Sequence, residues 1–368
     1  MINHMARSSL RPNSASRVRV LIVDDSPLMR RMLTEMLQSD AEIEVVGAAD
    51  DAYRAREMIK ALNPDVLTLD VEMPRMDGIQ FLRNLMRLRP MPVVMVSSLT
   101  QAGADVTLTA LQLGAIDFVS KPLGDLERTF QTYANELVEK VKIASKASIR
   151  ADGGAVGGLV ARDGGGHRGS EEAHTLTRRD SIIAIGASTG GTEAIKEVLL
   201  SLPAQTPGIV VAQHIPEQFS GSFARRLDSI CPQTVSEATD GQQIEPSHVY
   251  IARGGKHLRV ERQGPRFICR LSDSDPVNRH RPSVCVLFDS VASTYGRNAI
   301  GVILTGMGDD GAEGIRRMRE AGAFTVAQDE ASSVVWGMPG QAVKRGGISA
   351  VLPLGQIGER ISKTFADA

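Results

Sequence analysis

The chain predicts two α/β domains, each a doubly wound, mainly parallel sheet covered by helices, and three observations carry that expectation. Its 368 residues give a prior of two domains or three, each long enough to bury a core of its own. Apolar β-branched runs alternate with amphipathic segments in both halves, the pattern of strands joined by crossover helices. Between the halves, Ala151 to Gly169 is dense in glycine and has no aromatic residue to anchor a core. The expected division is therefore a disordered extension over 1–17, a first domain over 18–145, a flexible linker over 146–180 and a second domain over 181–366.

Composition narrows the function classes. A formal net charge of -1 gives no electrostatic reason for a nucleic-acid or anionic-membrane partner. The cysteines, Cys231, Cys269 and Cys285, are an odd set in no metal-type spacing, which suits buried thiols in a reducing compartment. Residues 1–16 contain no apolar core of a signal peptide, and no uncharged run is long enough to span a bilayer. A cytoplasmic protein without membrane insertion is expected.

In the first domain, Val18-Arg-Val-Leu-Ile-Val-Asp24-Asp25 delivers two adjacent carboxylates to a strand end, and Asp65-Val-Leu-Thr-Leu-Asp70 delivers a third. Clustered carboxylates repel one another, and a hard divalent ion such as Mg2+ relieves that repulsion while keeping ligand positions for phosphate oxygens. Pro92-Val-Val-Met-Val-Ser97 ends in a hydroxyl, and Asp117-Phe-Val-Ser runs into Lys121-Pro122. A hydroxyl and an ammonium aimed at the same crevice suit a phosphoryl group held on Asp70. The spacing of Leu126, Phe130, Ala134, Leu137, Val138 and Val141 predicts an amphipathic helix over 125–144, packed on its own sheet.

Acid pair, acid, hydroxyl and Lys-Pro at successive strand ends, with the run Leu69-Asp-Val-Glu-Met-Pro-Arg-Met-Asp-Gly78, resemble the receiver domain of two-component response regulators. That resemblance implies a flavodoxin-like fold, with Asp70 as the phosphorylated residue and Asp24, Asp25 and Asp70 at the Mg2+ site. It also implies Ser97 as the switch hydroxyl, Lys121 as the phosphate's partner, and Phe118 as the aromatic residue coupled to the switch.

Three stretches of the second domain read as apolar strands that run into small-residue loops: Ser181-Ile-Ile-Ala-Ile-Gly-Ala-Ser188-Thr-Gly-Gly, Ile209-Val-Val-Ala-Gln-His214-Ile-Pro, and Ile300-Gly-Val-Ile-Leu-Thr-Gly-Met-Gly-Asp309-Asp310-Gly. Ligands of open α/β sheets bind beyond the carboxyl ends of the strands, so these ends can converge on one reacting atom. Gly186-Ala-Ser188-Thr-Gly190 fits the G-x-S-x-G nucleophile pattern between a strand and the helix 192–200, although Ser188 could instead cap that helix. A dinucleotide-binding turn is the rival function. The glycine spacing is not G-x-G-x-x-G, and the next strand ends in Gln213-His214 rather than in a ribose-binding acid. His4, His167 and His174 lie in the tail or linker, His280 sits between arginines, and His248 and His257 lie in a hairpin-like region over 234–271. Only His214 has strand-end placement, which makes it the expected base. Spacing does not choose between Asp309 and Asp310 as its orienting acid. The loop Gly306-Met307-Gly308 would leave main-chain N–H groups free for an oxyanion.

These three segments are similar to the catalytic domain of the protein-glutamate methylesterase/glutaminase of bacterial chemotaxis, the CheB family, and a receiver joined to it by a linker is that family's architecture. The resemblance implies a Rossmann-like domain that hydrolyses glutamyl methyl esters on methyl-accepting chemoreceptors and deamidates receptor glutamines. It implies Ser188 as nucleophile, His214 as base and Asp310 as acid, with Thr189, Met307 and Gly308 on the active-site loops and no cofactor for the ester chemistry. It further implies a chemotaxis histidine kinase as phosphodonor, receptors as protein substrates, and an unphosphorylated receiver that covers the crevice. The alternative is a phosphorylation-controlled receptor-binding module without catalysis.

Overall fold

The computed structural model describes residues 17–97, 100–121, 126–147 and 180–366. Residues 1–16 of the expected extension and 148–179 of the expected linker lie outside the described residues.

In the first half β1 (Val18–Val23), β2 (Ile43–Ala49), β3 (Val66–Asp70), β4 (Val93–Ser97) and β5 (Asp117–Ser120) alternate with α1 (Pro27–Gln38), α2 (Ala52–Leu62), α3 (Gly78–Leu88), α4 (Gln101–Gln112) and α5 (Leu126–Ala144). The strands pair in parallel in the order β2-β1-β3-β4-β5. Because strand side chains alternate between faces, Val20, Ile22, Val94 and Val96 join Leu33 and Leu37 of α1 and Leu137 and Val141 of α5. Leu21, Val23, Leu67, Leu69 and Met95 join the apolar faces of α2, α3 and α4. Burying each such aliphatic side chain is worth about 1.5–3 kcal/mol. The sequence also writes its own helix starts. Ser26, Asp51, Asp77 and Thr100 cap α1 to α4, each side chain accepting from the main-chain N–H three residues on.

In the second half the elements run β6 (Ile182–Ala187), α6 (Gly191–Ser201), β7 (Gly208–Gln213), α7 (Glu217–Asp228), β8 (Thr234–Glu237), β9 (His248–Ile251), β10 (His257–Gln263) and β11 (Arg266–Ser272). There follow α8 (Val284–Tyr295), β12 (Ala299–Ile303), α9 (Ala312–Glu320), β13 (Phe324–Gln328), α10 (Met338–Lys344), β14 (Ala350–Leu352) and α11 (Leu354–Ala366). Seven strands form one parallel sheet in the order β14-β13-β12-β6-β7-β9-β8. The chain leaves β6 in one direction and β12 in the other, so the topological switch point lies between them.

The hairpin-like region expected over 234–271 is smaller than its sequence suggested. β8 and β9 pair in parallel at one edge of the main sheet, and only β10 and β11 form a hairpin. The reason is visible in β9, where Val249, Tyr250 and Ile251 are all buried, as a strand covered on both faces requires. Cys269 and Cys285 are buried thiols, and Cys231 is half-buried. Among the described residues no helix is long and apolar enough to cross a membrane.

Candidate active site and receiver crevice

Ser188, His214 and Asp310 come from three loops and meet at the switch point of the second sheet. Ser188 follows β6 in a tight turn closed by Gly191 N donating to Ser188 O at 2.7 Å. The helix cap falls to Gly190, at φ 74° and with no side-chain cap, so Ser188 is left free for another role. A side chain at Gly190 would also run into Val334, its Cβ only 2.7 Å from a methyl carbon. Ser188 Oγ lies 3.1 Å from His214 Nδ1, and His214 Nε2 lies 2.8 Å from Asp310 Oδ2. With Asp310 ionised, Nε2 carries the ring proton and Nδ1 turns its lone pair toward the serine. Serine proteases use the two ring nitrogens the other way round.

Asp310 is 2% exposed and heavily hydrogen-bonded. Its Oδ1 accepts from Asn278 Nδ2 at 2.8 Å, Ser283 Oγ at 2.8 Å and Cys285 N at 3.2 Å. Its Oδ2 accepts from His214 and from Val284 N at 2.6 Å. Burial by itself would raise this carboxyl, but the bonds and charge of His214, with Asn278 and Ser283, hold it well below the usual carboxylate range. Asp309 is exposed, and its side chain meets Arg345 at 2.5 Å instead of the histidine. Neither acid caps α9, whose cap is Gly311. The Gly306-Met307-Gly308 loop runs close beside Ser188, a Cβ at Gly306 falling 2.8 Å from Ser188 Cβ. Among the described residues, the main-chain N–H groups of Thr189 and Met307 have no acceptor.

In the first sheet Asp24, Asp25 and Asp70 gather at the switch point between β1 and β3, their ligand atoms within 4.8 Å of one another. Burial raises the carboxyls of Asp24 and Asp70, Asp70 to about 6. Asp70 Oδ2 is buried without a hydrogen-bond partner, and Lys121 Nζ lies 2.9 Å from Oδ1 and 3.4 Å from Asp24 Oδ2. An orphaned, buried oxygen among three carboxylates fits a hard dication such as Mg2+. Ser97 Oγ, at the end of β4, accepts from Thr107 Oγ1 at 2.7 Å.

Comparison with known proteins agrees with both halves. The family model described as CheB methylesterase matches residues 183–361, and the response regulator receiver domain matches 20–132. A "Protein-glutamate methylesterase/protein-glutamine glutaminase 1" of Xanthomonas euvesicatoria is 56% identical over 351 residues, covering 95% of this chain and 98% of its own. The chain belongs to the CheB methylesterase family. A relative of the same name from Geobacter metallireducens is 53% identical over 348 residues, covering 95% of this chain and 96% of its own. The Thermotoga maritima CheB methylesterase catalytic domain, a crystal structure, is 39% identical, covers 50% of this chain and 98% of its own, and gives a TM-score of 0.49.

In this CheB family member the receiver touches the ester crevice directly. Thr189, next to Ser188, donates from Oγ1 to Asp117 Oδ2 at 2.6 Å. Phe118 stacks on Phe219 of α7 with ring centroids 4.6 Å apart, and Arg226 Nη1 donates to Thr109 Oγ1 of α4 at 3.3 Å. Lys140 of α5 pairs with Asp117 Oδ1 at 3.3 Å, and Asp117 and Glu136 hold the ammonium charged against the cost of burial.

Several residues of the CheB crevice escaped the sequence reading. His280, flanked by arginines in the sequence, stacks on His214 with centroids 3.6 Å apart. Asn278 and Ser283 donate to Asp310, and Gln213 Nε2 donates to Ser188 O at 2.9 Å and to His214 O at 3.1 Å. Only Gln213 left a signal, as a polar residue ending an otherwise apolar strand.

Proposed function

We propose that this chain is a phosphorylation-controlled hydrolase that removes methyl esters from glutamate side chains of methyl-accepting chemoreceptors and deamidates receptor glutamines. The observation that carries it is the hydrogen-bonded series from Ser188 through His214 to Asp310 at a sheet switch point. Ser188 Oγ attacks the ester carbonyl as His214 Nδ1 takes its proton, and the carbonyl π electrons move onto oxygen. Main-chain N–H groups of Thr189 and Met307 receive that oxyanion, such donors being worth about 10²–10³ in rate. On collapse the C–OCH3 bond breaks and His214 protonates the leaving oxygen, which releases methanol and leaves an acyl-Ser188. Water, deprotonated by His214, then attacks the acyl carbon and frees glutamate and serine. With a glutamine substrate the same steps release ammonia.

Control follows from the receiver. Asp24, Asp25 and Asp70 would hold Mg2+, which supplies charge neutralisation for a phosphoryl group arriving at Asp70 from a chemotaxis histidine kinase. Lys121 and Ser97 would bind its oxygens, and the rearrangement would loosen the Asp117 and Phe118 contacts that cover the crevice. The protein would act in the cytoplasm, on the cytoplasmic parts of receptors. The relatives' names are those of enzymes and lend nothing to a non-catalytic docking module. The test is methanol release from methylated receptor membranes, with and without a small-molecule phosphodonor and Mg2+. No release in either condition would overturn the reading.

A further inference from the structure

Residues 277–280 form a two-residue turn at the rim of the crevice. Val277 N donates to His280 O at 3.1 Å, and His280 N donates to Val277 O at 3.0 Å. The central residues, Asn278 and Arg279, stand at φ 52° and 69°, a region asparagine tolerates but a long side chain such as arginine enters only against steric resistance. Such conformations persist where the surroundings over-determine them, and they cluster at functional sites. What the turn achieves is the placement of two side chains. Asn278 Nδ2 reaches Asp310 Oδ1 at 2.8 Å, and the His280 ring lies on the His214 ring with planes 11° apart.

We infer that the 277–280 turn is a clamp on the catalytic base, in which His280 is a positioning residue that fixes the ring plane of His214 while Asn278 fixes the acid behind it. The two edge hydrogen bonds of His214, to Ser188 and to Asp310, hold only while the ring keeps its plane. Rotation about the Cβ–Cγ bond lifts Nδ1 and its lone pair out of line with the serine hydroxyl. A flat ring at 3.6 Å blocks that motion on one face.

The stack also suits the charge that develops. His214 becomes an imidazolium during attack, and a neutral aromatic face beside it is favourable where a second cation would repel. Burial pushes His280 down to about 4, with His214, Arg279 and Lys140 acting in the same direction and Asp310 opposing them. At neutral pH it is therefore an uncharged plate. Nothing in the sequence marks it, because the stack depends on a turn that brings residue 280 over residue 214.

This inference rests on the serine mechanism above, so Ser188→Ala is measured alongside. The assay is methanol release from methylated receptor by the full-length chain, with thermal melts of every variant. His280→Ala should lower kcat about tenfold with KM little changed, and His280→Phe, which keeps a flat neutral ring, should recover most of that loss. Should the alanine variant melt early, His280→Gln fills the volume without a ring and takes its place. His280→Arg, with a fixed charge, should lower the plateau of the pH profile of kcat/KM and move its acid limb to lower pH. A merely structural role would move the melting temperature and leave that profile's shape alone. The clamp is overturned if the alanine or glutamine variant keeps kcat within about twofold of wild type, or if phenylalanine is as damaging as alanine. An active Ser188→Ala variant would instead overturn the serine mechanism itself.

Discussion

Replacing Asp310 by asparagine changes one atom and should be costly in two separable ways. The carboxylate accepts from five donors, and two of them, Val284 N and Cys285 N, are main-chain groups that cannot turn away. If the amide NH2 takes the place of Oδ2, it faces Val284 N–H, and His214 Nε2 has to accept. The ring proton then moves to Nδ1, which can no longer take a proton from Ser188. If the NH2 takes the place of Oδ1, Asn278 can flip and the Ser283 hydroxyl can rotate, but Cys285 N–H stays opposed. Either orientation strands one buried main-chain donor, at about 1–3 kcal/mol. The first orientation also installs the wrong tautomer, and in serine proteases the corresponding change lowers turnover about 10⁴-fold. Asp310→Asn should therefore lower methanol release by about 10³ or more and the stability of the catalytic domain by a few kcal/mol. Because the folded-state carboxyl is held below its unfolded value, its contribution to stability is full above about pH 4 and is lost as pH falls further. The asparagine variant should accordingly show a flatter acid side in a melt-versus-pH series. Asp309→Asn loses only an exposed pair with Arg345, worth about 0–1 kcal/mol, and should turn over normally. If Asp309→Asn proves the more damaging change, or Asp310→Asn keeps more than about a tenth of wild-type turnover, the assignment of the acid is wrong.

Four further outcomes are expected. Asp70→Ala should remove the stimulation of methanol release by phosphodonor plus Mg2+, whereas deleting residues 1–175 should raise basal release. A truncated enzyme no faster than the resting full-length chain would exclude occlusion and give the receiver a positive role. Asp117→Ala, which removes the acceptor of the Thr189 hydroxyl, should raise basal release without phosphodonor, and an unchanged basal rate would show that this hydrogen bond does not restrain the crevice. Millimolar Mg2+ should raise the melting temperature of the receiver, and Asp25→Asn should blunt the rise; equal rises in the two proteins would remove Asp25 from the ligand set.

Both parallel sheets were legible because β-branched runs such as Val66–Asp70 and Ile182–Ala187 are buried throughout and carry no competing signal. The strand-end residues Ser188, His214 and Asp70 were legible for a related reason: a strand fixes where its last side chain goes, so position in the chain translates into position in the crevice. His280 and Asn278 were not, since a turn at positive φ with Asn-Arg at its centre has none of the glycine that usually announces one. The parallel pairing of β8 with β9 was hidden because a connection across ten intervening residues leaves no local mark of strand direction. Asp117 reads as an ordinary strand residue, and its partner Thr189 lies 72 positions away in the turn after β6.

If the receiver controls the crevice as proposed, the hydrogen bond between Asp117 and Thr189 makes that control a two-way exchange. Asp70 pairs with Lys121, Lys121 follows the strand that begins at Asp117, and Asp117 reaches the residue beside Ser188. On the proposed function, a receptor segment entering the crevice would compete with the receiver for that residue. Linkage is reciprocal, so if phosphorylation frees the crevice for receptor, bound receptor must by the same free energy favour the state of Asp70 that accepts and keeps a phosphoryl group. On that reading, substrate would act on Asp70 as an effector, and abundant methylated receptor would sustain the enzyme that demethylates it.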